Sequence, residues 1–88
     1  MPKWEYRTLV AQGDYRGIEV LSVDGDSNAT VVKQRKGLLA APQRIDLYSY
    51  LKGAGQDGWE AIGVSPIDGT GEVASTIEFI VILKRPIP

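Results

Sequence analysis

Polar and apolar residues alternate along the first part of the chain, from Lys3 to Gln12. A period of two is typical of a strand that buries one of its faces. The larger side chains, Trp4 and Tyr6, fall on the same side of this strand. We therefore expect Trp4 and Tyr6 to mark the side that faces the core.

Two further β-rich runs follow, Ile18 to Val23 and Ala29 to Lys36. Between them lies a segment whose residues tolerate a left-handed backbone and form their own turns, Asp24-Gly25-Asp26-Ser27-Asn28. The pattern predicts that the two runs pair as a hairpin within residues 17–36.

Apolar positions then recur every three or four residues, which is typical of an amphipathic helix: Ile45, Leu47, Tyr48, Leu51 and Ala54. Pro42 has the fixed φ favoured at a first helical position, so we expect the helix to run from Pro42 to Ala54. Gly55 is the residue expected to adopt the left-handed conformation that closes it.

Two strands are predicted after the helix. Trp59 opens the first, which ends at Pro66 because proline removes a backbone donor. The second, Val73 to Lys84, is apolar on both faces and is therefore expected to be central in the sheet, near the first strand. The tail Arg85 to Pro88 is expected to end it.

These elements predict one α+β domain with a mainly antiparallel five-stranded sheet and one helix packed on one face, in the order βββαββ. One helix covers only part of such a sheet. An apolar area should stay exposed on the other face, and such areas mark interaction surfaces. We therefore expect a homo-oligomer or a protein partner, bound through a sheet face or edge.

Composition narrows the chemistry. The chain of 88 residues has no cysteine and no histidine, which removes thiolate and imidazole groups from metal binding and catalysis. We expect no cofactor, no metal and no enzymatic activity. The 10 basic and 11 acidic residues are interspersed, which argues against nucleic acid as a partner. The apolar runs are too short to span a membrane, and the first residues lack a signal layout, so we expect a cytoplasmic protein.

Three short motifs carry a family resemblance: KWEY at Lys3 to Tyr6, GQDGWEAIGV at Gly55 to Val64, and ILKRP at Ile82 to Pro86. In this order and spacing they resemble the DUF4177 family of short bacterial proteins. The resemblance implies a fold and no reaction. The segment Gly13 to Ala41 is longer than the family's usual link between first strand and helix, so residues 17–36 are expected to be an inserted hairpin.

One candidate ligand site combines Trp59 and Glu60 with Tyr48, as a cleft for a small molecule or anion near the C-terminus of the helix. The alternative is that Trp59 is a core residue packed against Leu51 and Ala54.

The densest basic run supplies a third possibility, weak nucleic-acid or anion binding through Lys33, Arg35 and Lys36, with Arg16 or Arg44 nearby. An edge strand whose lysines discourage sheet-to-sheet pairing is the alternative explanation.

Two further groups bear on binding. Trp4 and Tyr6 with neighbouring cations resemble an aromatic platform for single-stranded nucleic acid, although Lys3 and Arg7 alternate with the rings and so face away.

Glu78 lies in an apolar strand, where a salt bridge to Arg7 or Lys33 would explain its charge.

Overall fold

The computed structural model of the protein describes residues 3–14, 16–33, 43–67 and 77–88. Its elements are β1 (Lys3–Asp14), β2 (Gly17–Val23), a short 3-10 helix (Asn28–Thr30), β3 (Val31–Lys33), β4 (Gln43–Arg44), α1 (Leu47–Gln56), β5 (Glu60–Pro66) and β6 (Ile77–Ile87). The predicted α+β class is confirmed, with one helix and antiparallel pairing throughout the described strands.

The main sheet has four strands in the order β2-β1-β6-β5. The expectation that the first and last strands lie together is confirmed, since Lys3 pairs with Ile87 and Gly13 with Ile77. The central position of β6 is also confirmed. The prediction that the strand stops before Arg85 was wrong, because β6 continues through Pro86. Pairing with β5 begins only at Lys84, so Pro86 has its strand neighbour on the β1 side alone, where proline is tolerated.

The five-stranded count was wrong, because β3 and β4 form a separate two-stranded sheet. The predicted hairpin between 18–23 and 29–36 was also wrong, since β2 pairs with β1 and β3 pairs with β4. Asp24 and Gly25 do take the left-handed backbone, with φ of 51° and 84°. The chain turns at these two residues and continues into the 3-10 helix. Val20 and Val23 are buried in the core, which holds β2 beside β1.

The helix begins at Leu47, five residues later than expected. Asp46 is the N-cap and its carboxylate accepts a hydrogen bond from the Ser49 backbone N–H at 2.9 Å. Gln43 and Arg44, expected inside the helix, form β4 instead. The left-handed residue after the helix is Gly58, with φ of 91°, and not Gly55, which lies within α1. None of the helices in the described ranges has the length and apolar character of a membrane span.

The sheet has an inner face, covered by α1, and an outer face on the opposite side. The buried core lies on the inner face and consists of Leu9, Ala11, Val20, Val23, Ala54, Trp59, Val81 and Leu83. The odd-numbered residues of β1 point towards it, so the even-numbered ones point outwards. The expectation that Trp4 and Tyr6 mark the core side was therefore wrong, and these side chains are 40% and 62% exposed.

Candidate functional site

The outer face is built mainly by the alternate residues of the two central strands. The register of β1 with β6 pairs them in five rows, Trp4 with Pro86, Tyr6 with Lys84, Thr8 with Ile82, Val10 with Ile80 and Gln12 with Glu78. The edge strands extend these rows with Glu19 and Ser22 on β2 and with Glu60, Gly63 and Ser65 on β5.

The middle and one end of this face are apolar. Trp4, Tyr6 and Ile82 are 40%, 62% and 36% exposed, and Val10 and Ile80 are half-buried beside them. Because neighbouring strands lie about 5 Å apart, these side chains form one continuous surface. Contiguous exposed apolar area of this kind is typical of an interaction site.

Lys84 adds a cation to the aromatic end. Its Nζ lies 4.3 Å from the centre of the Trp4 ring, within the range of a cation–π contact. The register places Tyr6 on one side of Lys84 and Glu60 on the other. Lys84 is not among the contact residues expected from the sequence, because only the pairing of the two ends of the chain brings it to Trp4. The shared alternation of KWEY and ILKRP is the signal that could have indicated it.

The opposite end of the outer face is acidic. Glu78 and Glu19 flank Gln12 from β6 and β2, and both carboxylates are on exposed residues. The expected salt bridge from Glu78 to Arg7 is absent. Arg7 lies on the inner face, where its Nε is 3.4 Å from a carboxylate oxygen of Asp24. The outer face therefore changes from aromatic and basic to acidic along its strands.

Trp59 belongs to the core, as the alternative interpretation predicted. Only 8% of it is exposed, it packs with Ala54 and Leu51, and the guanidinium carbons of Arg7 and Arg85 each lie 4.5 Å from its ring centre. Its backbone N–H donates to the Ala54 carbonyl at 2.9 Å, which fixes the turn after α1.

The structure does not bring the three proposed cleft residues together. Tyr48 is 75% exposed near the start of α1, whereas Trp59 follows the end of this helix. Glu60 is exposed and its register places it on the outer face, opposite Lys84. Of these residues, only Glu60 borders the apolar surface.

The two arginines at Trp59 have structural partners. Arg7 donates to the Tyr50 hydroxyl at 3.0 Å, and Arg85 donates to Glu5 and to the Asp57 carbonyl, the latter at 3.2 Å. Burial alone would lower the pKa of Arg7, but the hydrogen bond to Tyr50 and the charge of Asp24 raise it. These contacts tie both ends of α1 to the central strands, so the cluster stabilises the fold.

The basic run is only partly described. Lys33 pairs with Gln43 at the end of β3, while Arg35 and Lys36 lie outside the described residues. Arg44, expected as a possible helper in anion binding, donates to the Ser27 carbonyl and the Thr30 hydroxyl, each at 2.6 Å. Its guanidinium therefore holds the loop after β2 in place.

A cleft of about 480 Å³ lies between the turn joining β1 to β2 and the start of α1. Most of its charged groups are engaged within the chain. Arg16 donates to both carboxylate oxygens of Asp14, and these bonds lower the pKa of Asp14. Asp46, also in the cleft, caps α1. Apart from the exposed Glu19, the cleft thus presents paired charges, which do not favour an anionic ligand.

No protein-family model, curated protein or solved structure matches the chain. The resemblance to the DUF4177 family stays a prediction. Within the residues that the structure describes, no cluster of carboxylates has the composition of a metal site. Among the described residues, the outer face carries a continuous exposed apolar surface around Trp4, Tyr6 and Ile82.

Proposed function

We propose that this protein is a non-enzymatic interaction module that self-associates through the outer face of its sheet. The observation that carries the proposal is the exposure of Trp4, Tyr6 and Ile82 on one continuous surface, next to half-buried Val10 and Ile80. Aromatic residues are enriched in protein interfaces, where burying them provides much of the binding free energy.

The sheet edges are less suited to binding than the face. On the β2 side, the Val20 backbone N–H donates to the Ile45 carbonyl at 2.9 Å, so part of this edge is already paired. On the other side, β5 is short, its register shifts between Ala61 and Gly63, and it ends at Pro66. Irregularity and proline are common protections of edge strands against pairing with another chain.

The other functions considered have less support. A small-molecule or anion cleft at Trp59 would need an accessible indole, and this one is packed between the core and two arginines. Nucleic-acid binding through Lys33, Arg35 and Lys36 stays a prediction, as does a cytoplasmic location. A different protein could use the same outer face, and the experiment below separates that case from self-association.

The test compares two tyrosines that are both exposed. Tyr6 lies on the outer face and Tyr48 on α1, so Tyr6→Glu places a charge in the proposed interface while Tyr48→Glu serves as the matched control. Light scattering after size exclusion should show a dimer for the wild type and for Tyr48→Glu, and a monomer for Tyr6→Glu. A wild type that stays monomeric at the highest soluble concentration would contradict self-association and leave the face to a different partner.

A further inference from the structure

The charge pattern of the outer face determines how two copies would meet, if the proposed self-association holds. We infer that the two sheets pack outer face to outer face with their strands antiparallel across the interface. The two-fold axis then lies between the sheets and crosses the strands midway between the Thr8–Ile82 row and the Val10–Ile80 row. In this arrangement Lys84 of each copy meets Glu78 of the other.

The first support is the spacing of the rows. A two-fold axis in this position places each outer-face row of β6 over a row the same number of residues away on the partner's β6. Ile80 then meets Ile82, and the two isoleucine rows form an apolar centre. Each copy uses the same patch, as a closed two-fold interface requires.

The second support is charge complementarity. The aromatic end has Lys84 with Glu60 beside it on β5, so its charges balance, whereas the acidic end has Glu78 with Glu19 on the neighbouring strand. Antiparallel packing brings these opposite charges together at both ends of the interface. An axis parallel to the strands would instead gather the Glu78 and Glu19 carboxylates of both copies at one end, where like charges repel.

The size of the face suits a small interface. The two central strands cover about 27 Å by 10 Å from Trp4 to Gln12, and β2 and β5 flank only part of this length, which gives on the order of 400 Å² in projection. The accessible area of a corrugated surface exceeds its projection. The face therefore approaches the roughly 600 Å² per partner of the smaller specific interfaces.

The usual geometry of stacked sheets allows the contact. Packed sheets lie about 10 Å apart with their strands within about 30° of each other. At three residues from the axis, such an angle moves the charged groups sideways by about one strand spacing. The flexible side chains of lysine and glutamate can span this displacement.

Charge reversal tests the arrangement. In Lys84→Glu the proposed contact becomes carboxylate against carboxylate, and in Glu78→Lys it becomes ammonium against ammonium. Because symmetry applies each change twice, we expect either variant alone to dimerise about tenfold or more weakly than the wild type. A mixture of the two variants should form heterodimers with near wild-type affinity, since both contacts are then of opposite charge.

The double variant Lys84→Glu/Glu78→Lys should likewise recover wild-type dimerisation. Lys84 and Glu78 lie six residues apart on one strand, about 20 Å, which exceeds the Debye length of about 8 Å at physiological salt. Rescue within one chain is therefore excluded, and recovery must come from contacts between copies. Glu78→Lys should leave the denaturation curve close to that of the wild type, because Glu78 is exposed. Lys84→Glu also removes the cation over the Trp4 ring and places a carboxylate beside Glu60, so a small loss of stability is expected for it. Dimerisation is therefore compared at equal concentrations of folded protein.

Sedimentation and native mass spectrometry distinguish the outcomes. Heterodimers formed preferentially from the mixture support the arrangement. Weak dimers without rescue overturn it, while the comparison of Tyr6→Glu with Tyr48→Glu still decides the proposed function separately. A monomeric wild type that binds a single-stranded RNA probe, and loses it on Trp4→Ala, overturns both and identifies a nucleic acid as the occupant.

Discussion

The two faces of the sheet come from the same strands and have similar apolar content, yet the centre of the inner face is buried and the outer face is open. At the margins of the inner face, Val64 and Ile77 are 67% and 65% exposed. Leu9, Val81 and Leu83 on the inner face are at most 1% exposed, whereas Tyr6 and Ile82 on the outer face are 62% and 36% exposed. The difference lies in the covering element. A helix of ten residues is about 15 Å long and can shield only one side of a four-stranded sheet. An apolar strand pattern thus predicts burial only where something is available to cover it.

Replacing each tryptophan by alanine tests this comparison, and we expect the largest change in the free energy of unfolding at Trp59. Trp59 is 8% exposed in the core and Trp4 is 40% exposed on the outer face, and each ring has a cation against it. Trp59→Ala should lower the free energy of unfolding by about 3 to 5 kcal/mol, as for other buried aromatic residues. Urea denaturation followed by far-UV circular dichroism measures this value.

Trp4→Ala is the matched control for that experiment. At a concentration where the protein is monomeric, it should cost less, about 2 kcal/mol, because 40% of the residue already contacts water. Similar losses for the two variants would mean that the outer face is as fully covered as the inner one, and would contradict the comparison.

Two glycines near the end of α1 should respond in opposite directions to substitution by alanine, with smaller changes in the free energy of unfolding. Gly58 has φ of 91°, and Gly55 lies within the helix. A methyl group at either position would meet no other atom within 4 Å, so only the backbone differs. Gly58→Ala should destabilise by about 1 to 2 kcal/mol, and Gly55→Ala should stabilise by about 0.5 to 1 kcal/mol. Thermal unfolding of both variants checks the sign, and a stabilising Gly58→Ala would refute the assigned turn.

At the start of α1, we expect the smallest change in stability, and it should depend on pH. Hydrogen bonds from the side chain and backbone of Ser49 lower the pKa of Asp46 in the folded state. A lowered folded pKa means that the carboxylate stabilises the fold above its unfolded pKa, and that this contribution is lost as pH falls through the folded value. Between neutral pH and about pH 3, the wild type should therefore lose more stability than Asp46→Asn, which keeps a cap without titrating.

Asp46→Ala completes that comparison. It removes the cap at every pH, so it should be less stable than the wild type at neutral pH and approach it in acid. An Asp46→Asn variant with the same pH dependence as the wild type would contradict the role of this carboxylate.

The strands were predictable because alternation is a local property, and β1, β5 and β6 all lie where the sequence pattern predicts a strand. Which side of β1 faces the core was not predictable from the residues of β1 alone. Both sides of Lys3 to Gln12 carry apolar groups, and aromatic size favoured Trp4 and Tyr6 for the core. The choice is made by Leu9 and Ala11, which pair with Val81 and Phe79 and are both 0% exposed on the inner face.

Helix boundaries and strand partners depended on competing local signals. Pro42 is an acceptable helix start, but Asp46 followed by Ser49 offers a capping hydrogen bond, and Ile45 is used to pair with Val20. The hairpin expected after Ile18 failed for a similar reason. The pairing of Asp14 with Gly17 places β2 beside β1, and no sequence rule applied to Asp24 to Asn28 alone takes this pairing into account.

The existence of an uncovered apolar face was predictable from the sequence, but the residues that form it were not. The expectation of an uncovered apolar face rested on counting one helix against one sheet, and the exposed Ile82 agrees with it. The contact residues chosen from the sequence came from local motifs instead. Lys84 joins Trp4 only through pairing between the two ends of the chain, which local motifs do not report.

The pairing of β1 with β6 also sets the order in which the molecule can fold. The centre of the sheet joins the first described residues to the last, Lys3 to Ile87, so its contacts are among the most distant in sequence that the chain can make. Such contacts slow folding, because a long loop must close before they form. During synthesis β1 can pair with β2 before β6 has left the ribosome, and for that interval the edge of β1 that later receives β6 stays open to other chains.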